Sequence, residues 1–226
     1  MLPIEGTDEK YTVQPTKIIC LGLNYAAHAA ETNREPPKQP LLFPKTPNVL
    51  IGHESSIIYP KILKEINLDR VDYEGELAVI VGREGKNIQR ENFSDYVLGY
   101  TCFNDVTARA LQLHDRGKSW PWFKSKSLDT FGAIGPKLVL HEDIGDPNDL
   151  HLQTRQNNNI VQETNTSDMI FKVDFILEYI SKFFTLYPGD IVATGTPSGI
   201  GPLAVGDTIE VEIQKIGTLR NKVQAE

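Results

Sequence analysis

The segment at residues 73–82, YEGELAVIVG, constrains the fold more than any other part of the chain. Its second half is almost wholly apolar, which predicts a strand that is buried on both faces. Glu74 and Glu76 enter this strand, and side chains at positions i and i+2 of a strand point to the same face, about 6.5–7 Å apart. A fold that buries this segment must therefore compensate two neighbouring carboxylates.

Two interpretations of this glutamate pair follow from the segment. The side chains could face solvent at a sheet edge, or they could be two ligands of a hard divalent cation, because Mg²⁺ and Mn²⁺ prefer oxygen ligands. Asp105 ends a second predicted strand in the segment CFNDVTAR and is either a helix N-cap or a third carboxylate of the same site. No histidine or cysteine has a spacing suited to zinc, which favours the oxygen-ligated metal.

Other residues could carry chemistry. His28 and Glu31 are three positions apart in a short predicted helix, so they form either an ordinary surface pair or an imidazole base oriented by a carboxylate. Lys126 lies among apolar and turn residues and is either solvated or part of a site. Thr196 follows a buried strand in the glycine-rich segment ATGTPSGIG, where backbone can approach a ligand closely.

Three common catalytic motifs are missing from the sequence. The glycines near Thr196 are not followed by Lys-Ser or Lys-Thr, so they do not form a Walker loop. No G-x-S-x-G elbow and no G-x-G-x-x-G fingerprint is present.

Strand patterns outnumber helical patterns and do not alternate with them strictly, which favours a mixed or antiparallel β architecture over a doubly wound sheet. Strands are predicted at 17–22, 55–60, 73–82, 97–105, 136–142 and 151–164, the last as a hairpin about 157–159. Helices are predicted at 24–32 with Asn24 as the cap, at 106–114, and at 167–186 with Ser167 or Asp168 as the cap. The proline-rich segment 33–47 predicts an extended loop.

Composition narrows the class of protein. The chain has 226 residues, a net charge of −7 and a pI near 5.3, which are unfavourable for binding nucleic acid or an anionic membrane. Cys20 and Cys102 lie among apolar residues and predict core positions rather than a disulfide framework. The first ten residues lack the features of a signal peptide, so we expect a cytoplasmic protein with an arm at 1–16 and one domain at 17–226.

Seven segments occur in the order found in the fumarylacetoacetate hydrolase family, and together the chain resembles the short acylpyruvase and oxaloacetate decarboxylase branch of that family. They are CLGLNYAAHAAE, LLFPKTPNVLIG, VDYEGELAVIVG, YTCFNDVTARALQ, KSKSLDTFGAIGP, QETNTSDMIF and YPGDIVATGTPSGIG. The resemblance implies an α+β fold of mixed β-strands with few helices, arranged as a β-sandwich roll, and a homodimer. Trp120 and Trp122 precede the lysine segment, and the resemblance does not say whether they line a pocket.

The resemblance also implies the residue roles. Glu74, Glu76 and Asp105 match the family's metal ligands for Mg²⁺, with Mn²⁺ as the alternative. His28 and Glu31 match its acid–base pair, on a segment that orders over bound ligand, and Lys126 matches its active-site lysine. The remaining matches are substrate-binding positions: Arg109, Gln112 and Thr196.

The implied reaction uses a small 2-oxo acid. We expect a Mg²⁺-dependent hydrolase that cleaves a C–C bond in an acylpyruvate-like 2,4-dioxo acid through a stabilised enolate. The alternative is a lyase or isomerase on the same site: an oxaloacetate decarboxylase, or an isomerase or hydratase of an unsaturated 2-oxo diacid from aromatic catabolism. A non-catalytic ligand-binding domain is a third hypothesis, which the complete set of candidate residues disfavours.

Overall fold

The computed structural model describes residues 1–226, and strands dominate it. The strands are β1 (Leu2–Pro3), β2 (Lys10–Tyr11), β3 (Ile18–Gly22), β4 (Leu41–Lys45), β5 (Leu50–Ile51), β6 (Ser56–Tyr59), β7 (Val71–Tyr73), β8 (Gly75–Val81), β9 (Val97–Asn104), β10 (Thr107–Ala108), β11 (Gly132–Leu140), β12 (His151–Gln156), β13 (Asn159–Asn165), β14 (Ile191–Ala193), β15 (Gly201–Pro202), β16 (Thr208–Ile213) and β17 (Gly217–Ala225).

The helices are short and few. The α-helices are α1 (Ala26–Glu31), α2 (Lys61–Glu65), α3 (Arg109–Gly117), α4 (Phe123–Lys126), α5 (His141–Ile144) and α6 (Val173–Phe183), with 3₁₀ turns at Pro47–Val49, Arg90–Tyr96 and Thr166–Asp168. No helix is both long and apolar enough to cross a membrane. The expected mixed α+β class is confirmed.

Two sheets sandwich the main core. A seven-stranded sheet has the order β4-β3-β14-β8-β9-β11-β5, and a five-stranded sheet has the order β13-β12-β16-β17-β6. Alternate side chains of β8 divide between two cores: Leu77 and Val79 face the larger core with residues of the second sheet, and Ala78 and Ile80 face a smaller one. The prediction that this strand is buried on both faces is confirmed.

The long strand predicted at 73–82 is broken in the structure. The chain leaves the small sheet β10-β7-β15 at Tyr73 and enters the seven-stranded sheet at Gly75. A Cβ atom at Gly75 would lie only 2.2 Å from Oγ1 of Thr154 on β12, so only glycine allows the seven-stranded and five-stranded sheets to approach this closely. Glu74 therefore sits at a change of sheet rather than within a strand.

The sequence predicted that the proline-rich segment 33–47 is an extended loop, and this prediction was wrong for its second half. Its second half forms β4, which pairs antiparallel with β3. Pro44 is tolerated because β4 is the edge strand of its sheet, where one side of the backbone needs no ladder hydrogen bond.

The prediction for the longest helix was wrong at its start. Asn165 and Asp168 form a capping box on the 3₁₀ turn Thr166–Asp168, and α6 begins only at Val173. Ile176 on α6 is buried. Four aromatic side chains on and just before α6 instead form a row of neighbouring rings along its outer side: Phe171, Phe175, Tyr179 and Phe183.

The N-terminal segment is tied to the main sheet. Leu2 packs into the smaller core beside β3 residues, and β1 pairs with β2. Asp190, directly before β14, accepts hydrogen bonds from the backbone N–H groups of Thr16 and Lys17. Cys20 and Cys102 are buried, free thiols, as predicted.

Candidate active site

Three carboxylates converge where β7, β8 and β9 meet. One oxygen from each of Glu74, Glu76 and Asp105 lies within 4.8 Å of the others, and all three side chains are buried. The pairing of β8 with β9 brings them together, and the Asp105 N–H donates to the Glu74 carbonyl oxygen at 2.9 Å. The glutamates do not face solvent at a sheet edge, and Asp105 is not a helix N-cap, because the N-cap of α3 is Ala108.

Cationic side chains surround this cluster. The Lys126 ammonium lies 2.7 Å from Oε2 of Glu74 and 2.5 Å from Oδ2 of Asp105, and Arg109 also donates to Glu74. Burial alone would raise the pKa of Glu74, but the charges of Lys126 and Arg109 hold it well below its usual range. Burial alone would lower the pKa of Lys126, yet the carboxylates of Asp105 and Glu74 raise it.

Glu76 is the least compensated member of the cluster. Its Oε2 atom accepts a hydrogen bond from the Gly195 N–H at 2.9 Å, whereas Oε1 is buried and has no partner. Burial and the neighbouring carboxylates of Asp105 and Glu74 raise the pKa of Glu76 well above its ordinary value. An orphaned carboxylate oxygen facing two further carboxylates is a donor set suited to a hard divalent cation. The residues present therefore fit Mg²⁺ or Mn²⁺.

The side chains of His28 and Glu31 are in contact, as their spacing predicted. Nδ1 of His28 lies 3.1 Å from Oε2 of Glu31, and Oε1 of Glu31 accepts from the Gly199 N–H at 3.0 Å. With Nδ1 directed at the carboxylate, Nε2 of the imidazole is the nitrogen left for a reacting group. His28 and Glu31 line the same cavity as Glu74 and Lys126.

Helix α1, which carries His28, is held at both ends. The sequence predicted Asn24 as the N-cap of this helix, and that prediction was wrong. The N-cap is Tyr25, and the Asn24 side chain spans a long-range contact, donating to the carbonyl oxygens of Phe171 and Thr194 and accepting from the Phe171 N–H. The contact of Glu31 with Gly199 fixes the other end.

The predicted substrate-binding residues line one cavity of about 340 Å³, together with His28 and Glu31. Arg109 donates to Asp72 at 2.9 Å and to Gln112 at 2.5 Å. Thr196 donates to the Gly75 carbonyl oxygen at 3.0 Å and accepts from Gln162 at 2.9 Å. The structure thus brings together every candidate residue that the sequence indicated.

Sequence reasoning missed three buried residues that support this site. Lys45 donates to Oδ1 of Asp105, Asp72 holds Arg109, and Gln162 joins Thr196 to the Gly75 N–H. No local pattern marks these side chains, because each acts on a residue distant in sequence. The two tryptophans have different environments: Trp122 lines the cavity, whereas Trp120 lies outside it and is 51% exposed.

The fold and site define an α+β enzyme with a buried carboxylate centre. The chain belongs to the fumarylacetoacetate hydrolase family, because residues 17–224 match the model for the fumarylacetoacetate (FAA) hydrolase C-terminal domain. The mitochondrial oxaloacetate tautomerase Fahd2a of Rattus norvegicus is 42% identical over 217 residues, which are 93% of this chain and 67% of that protein.

Solved structures give the same family with different named activities. A fumarylpyruvate hydrolase from Pseudomonas aeruginosa, in complex with Mn²⁺ and pyruvate, superposes with a TM-score of 0.91 at 30% identity, covering 100% of this chain and 95% of that one. A 2-hydroxyhepta-2,4-diene-1,7-dioate isomerase from Mycobacterium marinum gives 0.83 at 38% identity, covering 95% and 76%. Family membership therefore does not select one reaction.

Proposed function

We propose that this enzyme is a Mg²⁺-dependent hydrolase that cleaves the C–C bond of an acylpyruvate-like 2,4-dioxo acid. The observation that carries the proposal is the His28–Glu31 pair, which lies in one cavity with the three buried carboxylates. A metal-binding centre alone suits many reactions, but a free Nε2 beside it supplies the base that hydrolysis needs.

Glu74, Glu76 and Asp105 would hold the cation, and the unpaired Oε1 of Glu76 supports this assignment. When bound, a divalent cation supplies Lewis-acid stabilisation to the enolate of a 2-oxo acid. Mn²⁺ is the alternative metal, since the P. aeruginosa fumarylpyruvate hydrolase structure contains it.

The protein's own residues would divide the remaining work. His28 would take a proton from water at the distal carbonyl while Glu31 keeps the imidazole oriented. Lys126 would hold negative charge that develops on the substrate, from a buried position that keeps it fixed. Arg109 and Gln112 would bind the substrate carboxylate, with Thr196 on the facing loop.

A second candidate is a tautomerase, isomerase or decarboxylase of a 2-oxo diacid on the same residues. The names of the rat and M. marinum relatives favour it. In a tautomerase or isomerase, His28 would take a proton from one atom of the substrate and return it to another. In a decarboxylase, it would protonate the carbon that has lost CO₂, and in neither case would water be placed at a distal carbonyl. The two candidates differ in whether water is incorporated: hydrolysis adds water across a C–C bond, tautomerisation and isomerisation break no C–C bond, and decarboxylation breaks one by loss of CO₂ without adding water.

We also propose that the chain forms a homodimer. The exposed aromatic row on α6, which ends at Phe183 with 60% of its surface exposed, supports an apolar contact between two copies. Without a partner, Phe183 and its neighbour Phe184 leave 60% and 45% of their surface in water.

The deciding experiment assays acetylpyruvate, oxaloacetate and a 2-hydroxymuconate-type diacid, each with Mg²⁺, with Mn²⁺ and with EDTA. We expect metal-dependent release of pyruvate and acetate from acetylpyruvate, with competition by oxalate only when metal is present. Turnover of oxaloacetate or the diacid without acetylpyruvate cleavage would establish the second candidate instead. Activity that is unchanged in EDTA would contradict both.

A further inference from the structure

Two arginines that line the cavity take no part in the ion pairs and hydrogen bonds described above. Arg34 and Arg116 line the same cavity as the acid–base pair and the carboxylate cluster. The other arginines of this cavity have carboxylate partners: Arg70 and Arg109 both bind Asp72. Neither Arg34 nor Arg116 has a carboxylate within 4.0 Å.

Backbone geometry fixes Arg34 over the cavity. The Arg34 N–H donates to the Ala29 carbonyl oxygen at 2.8 Å, and the Asn33 N–H donates to the Ala30 carbonyl oxygen at 3.0 Å. Asn33 has a φ of +54°. These features are the Schellman motif that ends α1, in which asparagine takes the left-handed position. The guanidinium of Arg34 also lies 6.0 Å from the ring of Trp122.

Arg116 belongs to a stripe on α3. Residues 109, 112, 113 and 116 all line the cavity, which is the spacing of one helix face. Seven residues of helix span about 10 Å, so this stripe runs from Arg109, beside Glu74, to an outer cationic end at Arg116.

The two guanidiniums repel each other across the cavity. Burial lowers the pKa of Arg34, and the positive charge of Arg116 lowers it further. Glu31 does not relieve this repulsion, since its oxygens bind His28 and the Gly199 N–H. Two like charges facing one space are stabilised by an anion between them, and guanidinium groups are suited to a carboxylate.

We propose that Arg34 and Arg116 form a second anion-binding subsite at the outer end of the cavity, which takes the terminal carboxylate of a dicarboxylic 2-oxo substrate. This inference rests on the proposed function, because the first carboxylate and the 2-oxo group must occupy the inner end near Arg109. Trp122 is half-buried in the cavity wall, 6.0 Å from the Arg34 guanidinium, and provides an apolar surface for the connecting carbon chain.

The test uses 2-oxo acids that cannot be cleaved. In the presence of Mg²⁺, calorimetry compares 2-oxoheptanedioate with 2-oxoheptanoate, and 2-oxohexanedioate with 2-oxohexanoate. Each pair shares the head group and differs in a terminal carboxylate against a methyl group. We expect the diacid to bind at least about tenfold more tightly in one of the pairs, the value of one charge-assisted hydrogen bond.

Variants assign the preference to the two arginines. Arg34→Gln and Arg116→Gln should each reduce the diacid preference to about onefold to threefold while leaving the affinity for the monoacid unchanged. Lys118→Gln is the matched control, because Lys118 is exposed at the end of α3 and outside the cavity, and it should keep the full preference.

Two outcomes would overturn the inference, and they differ. Monoacid binding with no diacid preference in the wild-type protein, or a preference retained in both arginine variants, would remove the subsite and leave the proposed function intact. Failure of every 2-oxo acid to bind would remove the proposed function and the subsite with it.

Discussion

The ammonium of Lys45 lies 2.5 Å from Oδ1 of Asp105, and both side chains are fully buried. Lys45 also donates to the Val106 carbonyl oxygen at 3.1 Å. It comes from β4, the edge strand formed by the proline-rich segment, whereas Asp105 follows β9 near the centre of the sheet. The third carboxylate of the candidate metal centre is therefore positioned from the sheet edge.

Lys45→Met should lower the free energy of unfolding by about 1–3 kcal/mol in EDTA, because Oδ1 of Asp105 would stay buried without its partner while Lys126 still pairs with Oδ2. Urea denaturation measures the change. Lys61→Met is the control. The Lys61 side chain is 74% exposed and its ammonium lies 3.5 Å from Oε1 of Glu65, so this is a surface ion pair that contributes about 0–1 kcal/mol. Equal losses in the two variants would contradict a structural role for the Lys45–Asp105 pair.

Asp105→Ala should abolish metal binding and activity together. Residues that merely orient metal ligands cost about 10–100-fold in affinity when changed, so loss of a ligand should cost at least about 100-fold. Calorimetry with Mg²⁺ makes the measurement, beside Glu163→Ala, which changes a carboxylate that is 57% exposed and paired only with His151. An unchanged Mg²⁺ affinity in Asp105→Ala would remove it from the metal centre.

His28→Ala should lower kcat by about 10²–10⁴-fold, the usual contribution of a general base. Mg²⁺ and oxalate affinities should stay nearly intact, because His28 lies on α1, whereas Glu76 lies in β8 and Glu74 and Asp105 follow β7 and β9. Glu31→Gln should cost less, since it retains one oxygen for the Gly199 N–H. Wild-type turnover of His28→Ala would show that the pair has no role in the reaction.

If His28→Ala loses acylpyruvate hydrolysis and keeps oxaloacetate decarboxylation, His28 serves the water rather than the enolate. Assaying each substrate with the same preparation of the variant makes the comparison.

Asp190→Asn should reduce stability at neutral pH and weaken its acid dependence. Burial alone would raise the pKa of Asp190, but hydrogen bonds from Lys17, the Tyr187 N–H and Thr16 hold it below its ordinary value. A carboxyl group with a lowered folded-state pKa stabilises the fold above its unfolded pKa of about 3.9. This stabilisation is lost as the pH falls through the lower folded-state value.

Urea denaturation at pH 7 and at pH 3 tests the Asp190 prediction. The difference between wild type and Asp190→Asn should be about 1.5–3 kcal/mol at pH 7, the value of a hydrogen bond to a charged group, and should narrow at pH 3. Asp8→Asn, at an exposed site without a side-chain partner, should show no such change. A constant difference at both pH values would contradict the prediction.

Light scattering should give a mass of twice 25.3 kDa at micromolar concentrations, as expected for a homodimer. Phe183→Glu should shift the equilibrium towards the monomer, because it places a charge on the exposed aromatic row of α6. A mass of 25.3 kDa for the wild-type protein across this concentration range would contradict the dimer.

Local sequence patterns predicted the parts of the site that depend on local geometry. The apolar run after Glu76 predicted its buried strand, and the three-residue spacing of His28 and Glu31 predicted their contact. The family resemblance supplied what spacing could not, namely that Asp105 joins the two glutamates.

Long-range partners could not be predicted in this way. Asn24 has the sequence features of a helix cap, but its side chain is used to bind Phe171 and Thr194, about 150 residues or more away in the chain. Lys45 lies in a segment whose prolines indicate a loop, and only the pairing of β4 with β3 brings it to Asp105. Both functions arise from tertiary contacts that no short segment encodes.

The separate attachment of α1 has a consequence for how reactions diversify in this fold. The helix is held by the side-chain contacts of Asn24 and by the contact of Glu31 with Gly199. It has no ladder of backbone hydrogen bonds to the strands that carry the carboxylates. Substitutions in these six residues can therefore alter proton delivery at His28 while the carboxylate cluster keeps its geometry. A change of reaction type in this fold therefore requires no change in the three buried carboxylates.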